Sequence, residues 1–218
     1  MDQIKKSWKS NIAIALLAVG SIAAYLLLFN RNSELPVFNP SDFNPELVDV
    51  SLQNEVEGHT VADFELLNQN GGTITQKDYE NKIYVTDFFF TRCPSICPIM
   101  STNMEKLQGT FLDETDVMFL SLSVTPEFDS IPILKAYAKK HGAIAGKWNI
   151  TTGDKKHIYN LARKSYFAVV NEGDGGLQDF IHTPNFILVD KKKRIRGVYD
   201  GTKNEEIERL VADMKKLL

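Results

Sequence analysis

The segment that most restricts the fold of this chain is the apolar run KIYVTDFFF at 82–90. Its residues are β-branched and aromatic, which is typical of a strand buried on both faces. In the next segment, 98–112, apolar residues recur at the spacing of one helix face. A strand buried on both faces requires helices on either side of its sheet. The two segments therefore favour an α/β fold with a central sheet.

The rest of the chain continues this alternation of strand-like and helix-like segments. In chain order the predicted elements are a hairpin at 61–75, the strand at 82–90, a helix at 98–112, a strand at 116–124, a helix at 130–142, a strand at 147–153, a helix at 154–164, a hairpin at 185–201 and a helix at 204–218. Paired cysteines between a buried strand and a helix, within such an order, favour a thioredoxin-like fold.

Near the N-terminus, the segment 12–29 is apolar and uncharged. Its length of about 18 residues is just enough to cross a hydrocarbon core as a helix. Three lysines precede the segment and one arginine follows it closely, so the positive-inside rule keeps the N-terminus in the cytoplasm. We predict a single-pass anchor in the inner (cytoplasmic) membrane at 1–30, with the remaining chain on the periplasmic or extracytoplasmic side. A cleaved signal peptide is the alternative.

Between the anchor and the first hairpin, the segment 31–60 contains three prolines and no sustained periodicity. It is predicted to be an extended linker that holds the domain away from the membrane. The segment 61–218 is long enough to bury a core without the help of disulfides. The formal net charge of −3 gives no basic field for nucleic acid, so no nucleic-acid partner is predicted.

Cys93 and Cys97 are the two cysteines of the chain, and they lie between the predicted strand and helix. Pro98 suits the first position of a helix, which would put Cys97 at the N-cap. Both sulfurs would then lie near the positive end of the helix dipole, which favours thiolate over thiol. Thiolate attacks disulfides and also binds metals. The cysteines alone therefore leave a redox pair and half of a metal site as open alternatives.

A histidine that reaches the cysteines would favour the metal site. Two thiolates leave zinc short of ligands, whereas Cu(I) accepts two thiolates and one imidazole. His59, His141 and His157 are predicted in linker or solvated helix positions. His182 precedes an apolar strand, and in a thioredoxin-like sheet that loop lies beside the cysteine loop. His182 is therefore the candidate third ligand.

The quoted motifs resemble one known family. FFFTRCPSICPIM at 88–100 is similar to the cysteine motif of the SCO/SenC copper chaperones of cytochrome c oxidase assembly. SLSVTPEFDS at 121–130 resembles the family's Val-Asp-Pro-Glu-x-Asp segment, and FIHTPNFILVD at 180–190 fits a later block in the same order. The resemblance implies a thioredoxin-like domain and copper, as Cu(I) or also Cu(II), held by Cys93, Cys97 and His182.

Two positions depart from the family pattern. The family usually has aspartate directly before the histidine, where this chain has Ile181, with Asp179 two residues further back. An acid beside the imidazole would orient it, and the resemblance does not carry that support over to this chain. Thr125 stands where the family usually has aspartate before proline. It is interpreted as a loop change with little effect on the metal.

The predicted function is that of a membrane-anchored metallochaperone rather than an enzyme. It would deliver copper to the dinuclear copper site of a cytochrome c oxidase subunit. The alternative is a thiol–disulfide oxidoreductase that keeps the cysteines of that oxidase site reduced, with Cys93 and Cys97 forming a redox disulfide. His182 distinguishes the two functions, because only copper binding needs it.

Overall fold

The computed structural model divides the chain into two compact units, Met1–Glu34 and Leu35–Leu218. The residues that it describes are 14, 16–21, 34–48, 50–169, 173, 176 and 179–218. In the first unit, residues 14 and 16–21 are helical. The rest of the predicted anchor lies outside the described residues. Within the described part of the chain, no helix is both long and apolar enough to cross a membrane.

The second unit is built on a seven-stranded sheet. Its strands are β1 (Glu65–Asn68), β2 (Thr73–Thr75), β3 (Ile83–Phe89), β4 (Val117–Ser123), β5 (Trp148–Thr152), β6 (Asn185–Val189) and β7 (Ile195–Asp200). Their order in the sheet is β2-β1-β5-β4-β3-β6-β7. The central strands β3, β4 and β5 are parallel. The outer strands are antiparallel to their neighbours.

Helices cover both faces of this sheet, as the buried strands predicted. They are α1 (Ile96–Thr110), α2 (Ile131–Lys140), α3 (Lys155–Asn160) and α4 (Asn204–Leu217). Neighbouring residues of β3 point to opposite faces, so Phe89 joins one core cluster with α1, α2 and α4, and Phe88 joins the other with α3. Every residue of β3 and β4 is buried.

One predicted helix differs from the structure in its second half. The segment 154–164 forms α3 and then a π-helical turn, Leu161–Ser165. Short π-helical turns of this kind are frequent at functional sites. This turn carries Arg163, which contacts the loop before β6.

The predicted linker also differs, because residues 35–60 belong to the same compact unit as the rest of the domain. Phe38 forms a β-bridge with Ile195, and the Arg196 guanidinium donates to the carbonyl oxygens of Leu35 and Pro36. Val48 is buried as well. The prolines do not keep this segment extended, since two of them begin short 3-10 helices, Pro40–Asp42 and Pro45–Leu47.

Candidate metal centre

The two cysteines lie where β3 leads into α1, but the helix begins earlier than predicted. Its N-cap is Ser95, and Cys97 is already in the first helical turn, so the prediction of Cys97 as the N-cap is wrong by two residues. Pro98 is tolerated in the first turn because N–H groups there have no partner within the helix. Both thiols are free and both side chains are buried.

His182 reaches the cysteine loop from the loop before β6. Its Nε2 atom lies 3.7 Å from Sγ of Cys93, although the two residues are 89 positions apart. The imidazole ring is bordered by Phe90 and Phe180, with ring centroids 5.8 Å and 6.2 Å away. His182 is exposed while Cys93 is buried. The contact therefore lies at the edge of the core, open to solvent on the histidine side.

The two thiols differ strongly in acidity. Burial opposes ionisation of Cys93, but hydrogen bonds from the backbone N–H of Cys97 and from Ser95 outweigh it and lower the pKa to about 6. The Ser95 hydroxyl lies 3.6 Å from Cys93 Sγ. Burial raises the pKa of Cys97 to about 12, with a further contribution from Cys93. At neutral pH, Cys93 is therefore the thiolate and Cys97 the thiol.

A buried carboxylate, that of Asp129, is hydrogen-bonded to the start of the cysteine loop. Asp129 is fully buried and accepts hydrogen bonds from Thr91 Oγ1 at 2.5 Å, Ser123 Oγ at 2.5 Å and Thr125 Oγ1 at 3.1 Å. Thr91 precedes Cys93 by two residues, so this network joins the end of β4 to the cysteine loop. This network was not predicted from the sequence. The signal available was three hydroxyl residues close to one acid at adjacent strand ends.

A second buried acid, Asp87, lies in β3 beneath the site. Its carboxylate accepts a hydrogen bond from Ser121 Oγ at 2.5 Å, and Ser121 Oγ in turn accepts one from Trp148 Nε1 at 2.9 Å. Burial raises the pKa of Asp87 to about 7, and the Ser121 hydrogen bond opposes that rise. Asp87 is therefore a buried group that changes charge near neutral pH.

Other histidine and methionine side chains that could bind a metal make contacts within the domain instead. Met104, on the apolar face of α1, is fully buried in the core. His59 lies with Nε2 2.8 Å from the carbonyl oxygen of Ser165. His141 is buried against the Tyr137 ring, 4.4 Å between centroids, so its predicted solvated position is wrong.

The described residues contain no group of three or more histidine, cysteine, aspartate or glutamate side chains arranged to hold a metal ion. The contact between Cys93 and His182 nevertheless has a suitable size. With metal–sulfur and metal–nitrogen bonds of about 2.3 Å and about 2.0 Å, their 3.7 Å separation corresponds to an angle of about 120° at the metal. Cys93 Sγ and His182 Nε2 are therefore spaced to occupy two of the three ligand positions around a trigonally coordinated ion.

Comparison with known proteins identifies the family. The family model described as SCO1/SenC matches residues 53–218, which is most of the chain. This chain belongs to the SCO1/SenC family. The match begins within the segment predicted to be a linker, in agreement with its packing against the domain.

Two solved structures with this fold are 32% and 30% identical in sequence to the chain. A SCO1/SenC family lipoprotein from Bacillus anthracis str. Ames is 32% identical, with a TM-score of 0.65 over 75% of this chain and 98% of that chain. BsSco is a Sco protein of cytochrome c oxidase assembly in which a disulfide switch was identified. It is 30% identical, with a TM-score of 0.62 over 75% of this chain and 96% of that chain. The predicted thioredoxin-like fold is confirmed.

A more distant relative of the SCO1/SenC chain has been solved with its metal. ScoI from Arabidopsis thaliana, with copper bound, is 24% identical, with a TM-score of 0.56 over 72% of this chain and 99% of that chain. At this identity the likeness is evidence for a common fold. Copper is the metal in that protein.

Proposed function

We propose that this SCO1/SenC protein is a copper chaperone that holds Cu(I) with Cys93, Cys97 and His182. The observation that carries the proposal is the 3.7 Å contact between Cys93 Sγ and His182 Nε2. Two thiolates and one imidazole form a soft three-ligand set that suits Cu(I), and Cu(II) is a second oxidation state that it would accept. The Sco proteins solved with copper support the same choice of metal.

Cys97 would complete the set by losing its proton. Its pKa of about 12 keeps it protonated in the free protein at neutral pH, whereas Cys93 is already a thiolate. A metal ion binds the thiolate form, so binding releases the proton from Cys97. Copper binding should therefore strengthen as the pH rises.

The copper ion is cargo in this proposal, and the partner is the subunit that carries the dinuclear copper site of cytochrome c oxidase. A site with three ligands is open to attack, so incoming thiolates of the partner replace Cys93 and Cys97 stepwise. Near the site, Phe128 and Phe180 are 51% and 52% exposed, and the Arg92 guanidinium lies 4.0 Å from the Phe128 ring centroid. Exposed aromatic side chains grouped in this way suit a protein partner.

The proposed location follows from the N-terminal pattern. The apolar segment 12–29 with lysines before it is proposed to be a single-pass anchor in the inner (cytoplasmic) membrane. The copper-binding domain would then lie on the periplasmic or extracytoplasmic side. An oxidase subunit whose copper site faces that side would be accessible to it.

A second function is favoured by the acidity of the thiols. A low pKa on the more accessible Cys93 and a high pKa on Cys97 suit an attacking cysteine and a resolving cysteine. The chain would then reduce the disulfide of the oxidase copper site and form its own Cys93–Cys97 disulfide. The disulfide switch identified in BsSco supports this alternative.

His182→Ala separates the two functions. In the reduced full-length chain it should abolish tight Cu(I) binding, measured by competition with a chromophoric chelator and by metal analysis. The rate of thiol–disulfide exchange should not change, because the sulfurs remain. His157→Ala, which removes a histidine of α3, is the matched control and should bind copper as the wild type does. Copper binding by His182→Ala at wild-type affinity would refute the proposed ligand set.

A further inference from the structure

The residue directly before His182 gives its imidazole no hydrogen-bonding support. Ile181 takes that place and is buried, so it offers the imidazole no hydrogen bond. The nearest upstream acid, Asp179, is bound elsewhere. Its carboxylate accepts two hydrogen bonds from Arg163, Nη1 to Oδ2 and Nη2 to Oδ1, both 2.6 Å long.

This ion pair is geometrically restrictive. A bidentate guanidinium–carboxylate pair is planar and fixes the orientation of both groups. The side chains of Arg163 and Asp179 are only 7% and 9% exposed, so solvent screens the pair weakly. The hydroxyl of Tyr159 shares its one proton between the carbonyl oxygens of Val124, at 3.0 Å, and Asp179, at 3.2 Å. Both the side chain and the backbone of Asp179 are thus held by α3 and the π-helical turn.

The loop is also held on the other side of His182. Thr183 Oγ1 and Asn185 Nδ2 both donate to the carbonyl oxygen of Ala168, at 3.0 Å and 2.8 Å. The N–H of Gly201 donates to the carbonyl oxygen of Pro184 at 2.7 Å. Only residues 180–182 lie between these two sets of contacts. The position of the imidazole is therefore determined by how the loop is fixed at its ends.

We propose that Arg163 and Asp179 are positioning residues for His182, which act by fixing the loop backbone and not the imidazole ring itself. This inference rests on the proposed copper site. A buried ion pair adds little net stability compared with apolar residues of similar size. Its presence is better explained by the single loop geometry that it specifies.

Asp179→Asn tests the inference, because it keeps the shape of the side chain and removes its charge. In the reduced full-length chain, Cu(I) affinity should fall about 10- to 100-fold, the range typical when a partner of a metal ligand is lost. The reduction potential of the Cys93–Cys97 pair should not change. Asp63→Asn is the matched control, since it breaks the exposed Lys193–Asp63 pair of 2.8 Å and should leave Cu(I) affinity unchanged.

The same substitution in a His182→Ala background distinguishes the inference from the proposed function. If Asp179 acts through His182, Asp179→Asn causes no further loss of affinity once the imidazole is absent. An equal loss in both backgrounds would overturn the inference and leave the copper site standing. A His182→Ala chain with wild-type affinity would instead overturn the proposed function.

If Asp179→Asn alone does not fold, a neutral double variant keeps the test valid, because the double variant leaves no unpaired buried charge. Arg163→Met combined with Asp179→Leu removes both charges and retains apolar volume. The folded double variant should show the same 10- to 100-fold loss of Cu(I) affinity, about the effect of a lost ligand partner. Wild-type affinity in this variant would refute the role of the pair.

Discussion

Asp87→Asn should make the domain more stable, and increasingly so as the pH rises. Asp87 is 2% exposed in β3, and burial raises its pKa from 3.8 to about 7. Above pH 7 the folded protein therefore contains a buried negative charge. Asparagine has no charge to bury, and its side-chain oxygen still accepts the hydrogen bond from Ser121.

The size of the effect follows from the shift in pKa. The folded state binds the Asp87 proton more tightly than the unfolded state. The contribution of Asp87 to the free energy of unfolding is therefore fully present below about pH 4 and is lost as the pH rises through about 7. At about 1.36 kcal/mol per pKa unit, the loss is about 1.7 kcal/mol at pH 5 and about 4 kcal/mol at pH 8. The difference between wild type and Asp87→Asn should therefore widen by about 2.5 kcal/mol between these two pH values.

Urea unfolding of the reduced, metal-free chain at pH 5 and pH 8 measures this difference. Ser121→Ala is a useful companion, since it removes the donor that opposes the rise in the Asp87 pKa and should steepen the loss of stability at high pH. Parallel pH profiles for wild type and Asp87→Asn would show that Asp87 is ionised without cost. The account of β3 as a fully buried strand beneath the site would then be refuted.

Three further predictions concern the thiols, the core and the partner surface. Iodoacetamide at pH 7 should modify Cys93 long before Cys97, because the pKa values of the two thiols are about 6 and about 12. Mass spectrometry of peptides measures the labelling of each cysteine, and the rate at Cys93 should be half-maximal near pH 6; equal labelling of the two cysteines would contradict this. Met104→Ala should lower the free energy of unfolding by about 2–5 kcal/mol in urea, because a fully buried side chain leaves a cavity; a change below about 1 kcal/mol would place Met104 outside the core. Phe128→Ala should slow copper transfer to the proposed oxidase partner in stopped-flow mixing at unchanged Cu(I) affinity, and an unchanged rate would remove the proposed partner surface.

The sequence was sufficient for the order of elements because local patterns encode it. The aromatic and β-branched residues of 82–90 predicted a doubly buried strand, and β3 is one. The helix start was misplaced because proline is accepted at several positions of a first turn, so Pro98 did not distinguish Ser95 from Cys97 as the N-cap. Residues 35–60 were predicted to be an extended linker because the prolines were given more weight than the apolar residues that pack against the domain, such as Phe38 and Val48.

The candidate site was predictable only in part, because its supporting contacts join distant residues. The pattern of residues around His182 indicated its place beside the cysteine loop, and the structure puts its Nε2 atom 3.7 Å from Cys93 Sγ. The pairing of Arg163 with Asp179 depends on a π-helical turn, which the spacing of apolar residues in the sequence does not predict. Likewise, His141 is buried because Tyr137 and the surrounding core cover it, which a helix-end pattern does not reveal.

Cys93 and His182, two of the proposed copper ligands, lie 89 residues apart in the chain, so the proposed site would be complete only in the folded domain. His182 lies in the loop before β6, and β6 pairs with β3, the strand that leads to Cys93. Closing a loop of that length in a disordered chain costs about 4 kcal/mol in entropy, a cost that the folded sheet has already met. An unfolded chain would still hold Cys93 and Cys97 four residues apart but would lack the imidazole beside them, so under the proposed function the complete ligand set would mark a finished domain.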